Sequence, residues 1–68
     1  MNLQHMAEDQ RRSARQHYAW ARKMERADYL TPEVRQQRAD RSRQMARNAN
    51  ARAKRYETRA CQYGVTQT

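Results

Sequence analysis

The sequence predicts an all-α protein: an antiparallel two-helix hairpin, built as an alanine-rich coiled coil, that pairs into a four-helix homodimer. Three observations lead there. One Gly and one Pro in 68 residues leave almost no turn chemistry for a multi-stranded sheet or a flexible linker. Charged residues, 32% of the chain, are interspersed with alanines at helical spacing. The only proline stands near the middle of the chain, in a setting that starts a helix.

That setting is Tyr29-Leu30-Thr31-Pro32-Glu33-Val34. Thr31 is suited to the N-cap, Pro32 to the first helical position, where its missing donor costs nothing, and Glu33 to the positive end of the helix dipole. One helix is therefore expected over about residues 3–29, a turn over 30–32 and a second helix over about 33–62, on the order of 40 Å each at 1.5 Å per residue. Gly64 reads as the C-terminal stop before a polar tail over 64–68. A short turn makes the two helices antiparallel neighbours within one single-domain hairpin.

A seam alternating by four and three runs through Leu3, Ala7, Gln10, Ala14, His17, Ala21, Met24 and Asp28. A second runs through Arg35, Ala39, Ser42, Ala46, Ala49, Ala53, Tyr56, Ala60 and Tyr63. Folding the chain at Thr31-Pro32 sets Leu3 opposite Ala60, Ala7 opposite Tyr56, Ala14 opposite Ala49, Ala21 opposite Ser42, Met24 opposite Ala39 and Asp28 opposite Arg35. The alanines allow close approach of the helices, but alanine burial contributes little against the cost of ordering the chain, about 1–2 kcal/mol per residue. A marginal monomer that gains from a partner is the expectation.

Apolar residues gather on one side of the seam: Met6, Trp20 and Met24 on the first helix, Val34, Met45, Tyr56 and Tyr63 on the second, bordered by Arg38, Arg41 and Arg52. This strip is expected to hold the homodimer contact or to dock on a foreign protein. The other side collects Arg11, Arg15, Tyr18, Arg22, Arg43, Arg47, Asn50 and Lys54, which read as a polyanion-binding face, nucleic acid being the first choice of ligand. Its alternative is a solvated face on which Glu25, Asp40 and Glu57 pair with the arginines.

Lys+Arg 15 against Asp+Glu 7 gives a net charge of +8, divided as +2 over residues 1–30 (six bases, four acids) and +6 over residues 31–68 (nine bases, three acids). Such an excess favours a polyanionic partner. Arginine also forks onto phosphate or carboxylate. One Cys excludes an intrachain disulfide, and Cys61 with His5 and His17 makes a poor metal site. Neither a glycine-rich phosphate loop, a His-Glu-x-x-His helix nor a Cys-x-x-Cys pair occurs, and a two-helix hairpin forms no catalytic pocket, so no enzyme activity and no cofactor are expected. With no apolar run near 18 residues and no signal-peptide core, the expected location is the cytoplasm, that of a host cell if the chain is phage-encoded.

The leading expectation is a non-enzymatic module that binds nucleic acid through its arginines. A small regulator or inhibitor of a larger protein, of the kind mobile elements encode, comes second, and a subunit of a large assembly third. The layout is similar to that of dimeric RNA-binding hairpins of the Rop type; no motif is shared, and no residue role follows from it. Charge reversal at Arg43 and Arg47 is expected to abolish nucleic-acid binding, and Trp20→Ala to harm a protein inhibitor more.

Overall fold

A computed structural model describes residues 2–67, with side chains described as far as Gln62. The architecture is two α-helices, α1 (Leu3–Glu25) and α2 (Pro32–Gln67), packed side by side along a rod of 54 × 14 × 13 Å, with no strand among the described residues.

Each helix start has a local cause. Asn2, in extended backbone, accepts a hydrogen bond on its side chain from the His5 amide at 3.2 Å. Thr31 does the same for α2: its Oγ1 accepts from the Val34 amide at 3.3 Å and its carbonyl from the Arg35 amide at 2.9 Å. These caps satisfy donors that the first helical turn leaves without partners. Pro32 follows at the first helical position and Glu33 in the first turn, where the dipole favours an acid.

The turn is longer than the sequence pattern indicates. α1 stops at Glu25 rather than near residue 29, and residues 26–31 form the connection. The physical reason is Leu30, which folds back, half-buried, onto the cluster of Ala21, Met24 and Ala39. Continuing the helix would carry that side chain past the end of the core. Amides of Arg26, Ala27 and Leu30 bond the carbonyls of Lys23, Met24 and Ala27, closing successive tight turns. The expected pairing of Asp28 with Arg35 is lost with the shorter helix: Asp28 is exposed in the turn, and Arg35 Nε donates to the Leu30 carbonyl at 3.1 Å.

At the other end the backbone of α2 continues helical through Gly64 to Gln67, so the glycine does not act as a stop there. A glycine inside a helix costs only about 1 kcal/mol relative to alanine. Thr68, the last residue of the expected tail, lies outside the described residues.

Between the ends, the seam is as the heptads imply. Ala7, Ala14, Ala21 and Met24 of α1 and Ala39, Ser42, Ala46, Ala49 and Ala53 of α2 are buried. Ala14 packs with Ala46 and Ala49, and Ala21 and Met24 pack with Ala39. Leu3, Gln10, His17 and Tyr56 fill the remaining layers half-buried. Met24 is 2% exposed and the largest fully buried side chain, so it belongs to the core and not to an outward contact strip.

Such a seam punishes added volume as much as lost volume. Ala46→Leu, at a site with 0% exposure, is expected to cost about 1–3 kcal/mol by forcing the helices apart. Met24→Ala is expected to cost about 2–5 kcal/mol. Thermal unfolding followed by circular dichroism reads both as a lower midpoint, by about 4–8 °C per kcal/mol; unchanged midpoints contradict the packing described.

Candidate nucleic-acid interface

An antiparallel pair has two flanks beside its seam, and helical spacing assigns most of the charged residues to one or the other; Arg12 and Arg26 fall on the outer face, and Asp28 and Arg35 lie at the turn end of the seam. On the first flank the structure gathers the residues expected to bind a polyanion. Arg11 donates to Asn50 Oδ1 at 3.3 Å and forms an ion pair with Glu57. Arg43 forms an ion pair with Glu25, and lies 3.5 Å from Asp40. The two interhelical pairs mirror one another, an arginine of α1 on a glutamate of α2 and the reverse, with Tyr18 between them packed half-buried on Ala14, Ala46 and Ala49. Arg47 donates to Gln44 Oε1 at 2.8 Å. Arg15, Arg22 and Lys54 stay exposed, without an ion pair among the described residues.

Arg11 and Arg43 are thus spent in part on holding the helices in register. The pairs are a third to a half exposed, so solvent screening keeps each small. Glu8 and Glu33 fall on the same flank by spacing. Six bases (Arg11, Arg15, Arg22, Arg43, Arg47, Lys54) therefore meet five acids (Glu8, Glu25, Glu33, Asp40, Glu57), a net of +1.

The second flank is the one expected to make the dimer or protein contact. It exposes Trp20 (49%) and Met45 (44%); Met6 and Val34 are half-buried on the same flank by spacing, farther along their helices. Arg52 Nε donates to Gln10 Oε1 at 2.9 Å, an uncharged partner. Tyr56 sits half-buried in the seam. Tyr63 belongs to α2, but its side chain lies outside the described residues. Along α2 a stripe with alternating three- and four-residue steps runs Arg38, Arg41, Met45, Asn48, Arg52, Arg55, Arg59, about 30 Å long at 1.5 Å per residue. With Lys23 from α1 this flank carries six bases. Its one acid by spacing is Asp9, which faces Arg12 at 3.8 Å, so the net is +5.

Charge is therefore concentrated on the apolar flank, the reverse of the division that the sequence pattern suggests. The signal was present in the heptad positions of the acids, five of which share one flank, and emerges only when acids are placed with the bases. Between the helices on the charged flank lies a groove of about 430 Å³ lined by His17 and Trp20 of α1 and Arg38, Arg41, Ser42 and Met45 of α2. Lys23 Nζ stands over the Trp20 ring, 5.5 Å from its centroid. Cys61 is exposed with a free thiol, and no three of His, Cys, Asp or Glu come together among the described residues. Among the described residues, no helix is long and apolar enough to cross a membrane.

Comparisons with models of protein families, with curated proteins and with solved structures find no match to this chain.

The interhelical ion pairs make a clear thermodynamic prediction. A double-mutant cycle on Arg43 and Glu25, read from denaturant unfolding, should give a coupling of about 0.2–1 kcal/mol that disappears near 1 M salt. A coupling that persists in high salt contradicts the half-exposed geometry.

Proposed function

We propose that this hairpin is a non-enzymatic binding module whose ligand is nucleic acid, held by phosphate contacts from its arginines. The observation that carries the reading is the segregation of charge: a net of +5 on one flank of a 54 Å rod against +1 on the other. Solubility asks for charge of either sign spread over the surface. A one-sided excess of arginine along a straight helix instead presents a row of guanidinium forks to a polymer with regularly spaced phosphates.

Self-association into a four-helix homodimer by this flank would bury Trp20 and Met45, but it would also bring the arginine stripes of two copies together. Like charges at close range oppose that contact, and added salt would strengthen it. The proposal therefore has the hairpin free to bind its ligand as a single copy at low salt, and sedimentation across a salt series checks this.

An acidic protein surface is the second reading, favoured by the exposure of Trp20 and Met45 side by side within the arginine stripe. Salt weakens both, but only nucleic acid releases condensed counterions in proportion to the phosphates contacted.

Fluorescence anisotropy with labelled RNA and DNA across a salt series is the test. Binding should weaken linearly on a log–log scale. Arg38→Glu with Arg41→Glu should weaken it about tenfold or more, and Arg15→Glu with Arg47→Glu, on the nearly neutral flank, by less. Absence of binding at low salt, or affinity indifferent to salt, overturns the proposal.

A further inference from the structure

We propose that the groove beside Trp20 takes an unpaired nucleobase, so that the hairpin selects single-stranded over duplex nucleic acid. The inference rests on the nucleic-acid reading above and adds the form of strand recognised.

Trp20 is the only tryptophan of the chain and is 49% exposed on the flank that carries the excess charge. A large ring half in water gains when a base stacks on it, and every base has a face that can do so. Lys23 over the ring places one cation at this surface already. The groove divides into three chemistries. Trp20 and Met45 offer apolar surface to a base, half-buried His17 offers hydrogen bonding to its edge above the buried Ser42, and Arg38 and Arg41 border it with guanidinium groups for the phosphates on either side. A duplex keeps its base faces stacked on one another, so it meets the arginines and misses the ring. Charge complementarity favours this occupant over a second copy of the chain, which would set Arg38 and Arg41 against a like-charged stripe.

The experiment is titration of the full chain with a short single-stranded RNA, and with the same sequence in duplex, followed by Trp20 emission and by anisotropy at low salt. The single strand should quench Trp20 and bind about tenfold or more tightly than the duplex. Trp20→Ala should weaken single-strand binding about tenfold and change duplex binding little, whereas Trp20→Phe, which keeps a stacking ring, should retain most of the affinity. Unchanged helical ellipticity verifies that the variants are folded. Arg38→Gln with Arg41→Gln should lower the single-strand salt slope by about 1.4, at about 0.7 per phosphate contact. Equal binding of both forms with no change in Trp20 emission overturns the inference and leaves the polyanion reading standing; no binding of either form removes both.

Discussion

Close contact between alanines is the constraint from which the rest of this hairpin follows. Ala14 against Ala46 and Ala49, and Ala21 with Met24 against Ala39, bring the two helix backbones together with almost no side-chain volume between them. Only one orientation of each helix about its axis allows that approach. Once it is set, the residues outside the seam are divided between two flanks and an outer face, and the charge pattern of the surface is a consequence of packing.

The same constraint explains where the ends and the ion pairs fall. A seam of alanine and one methionine buries little apolar area, so peripheral contacts matter more than they would beside a leucine seam. Leu30 closes the turn end of the core, and half-buried Tyr56 and Leu3 cover layers toward the other. Arg11 with Glu57 and Arg43 with Glu25 bridge the helices near each end of one flank. Acids used there are absent from the opposite flank. The cost of holding a thin core together is in this sense linked to the exposure of an unneutralised arginine stripe elsewhere.

Much of this was legible in the sequence. The helix start at Thr31-Pro32-Glu33, the heptad seam and its pairing of Ala14 with Ala49 and Met24 with Ala39 follow from capping chemistry and period alone, because those signals are local or strictly repeating. The turn was less legible. Whether Asp28 continues α1 depends on where Leu30 finds apolar cover, a tertiary contact that no propensity records. Gly64 was misleading for the opposite reason, since a glycine marks a stop only if the chain turns there.

The candidate site was the least legible part. Apolar residues mark a flank clearly, and this drew Trp20, Met45 and Tyr56 into one strip and left Arg11, Arg43 and Arg47 as the evident basic face. Acids are what decide net potential, and Glu8, Glu25, Glu33, Asp40 and Glu57 sit among those arginines. The stripe of Arg38, Arg41 and Arg52 is read first as a border to an apolar patch. Its excess of positive charge emerges only when the acids are assigned to flanks along with the bases.

In the proposed mode of binding, nucleic acid meets the Trp20 flank and leaves the ion-paired flank alone. Nuclear magnetic resonance of isotope-labelled protein titrated with single-stranded RNA tests this directly. The Trp20 indole N–H and the side-chain Nε–H signals of Arg38, Arg41 and Arg52 should shift together, with those of Arg11 and Arg43 holding still. Shifts centred on Arg11, Arg43 and Tyr18, with Trp20 unmoved, would contradict it.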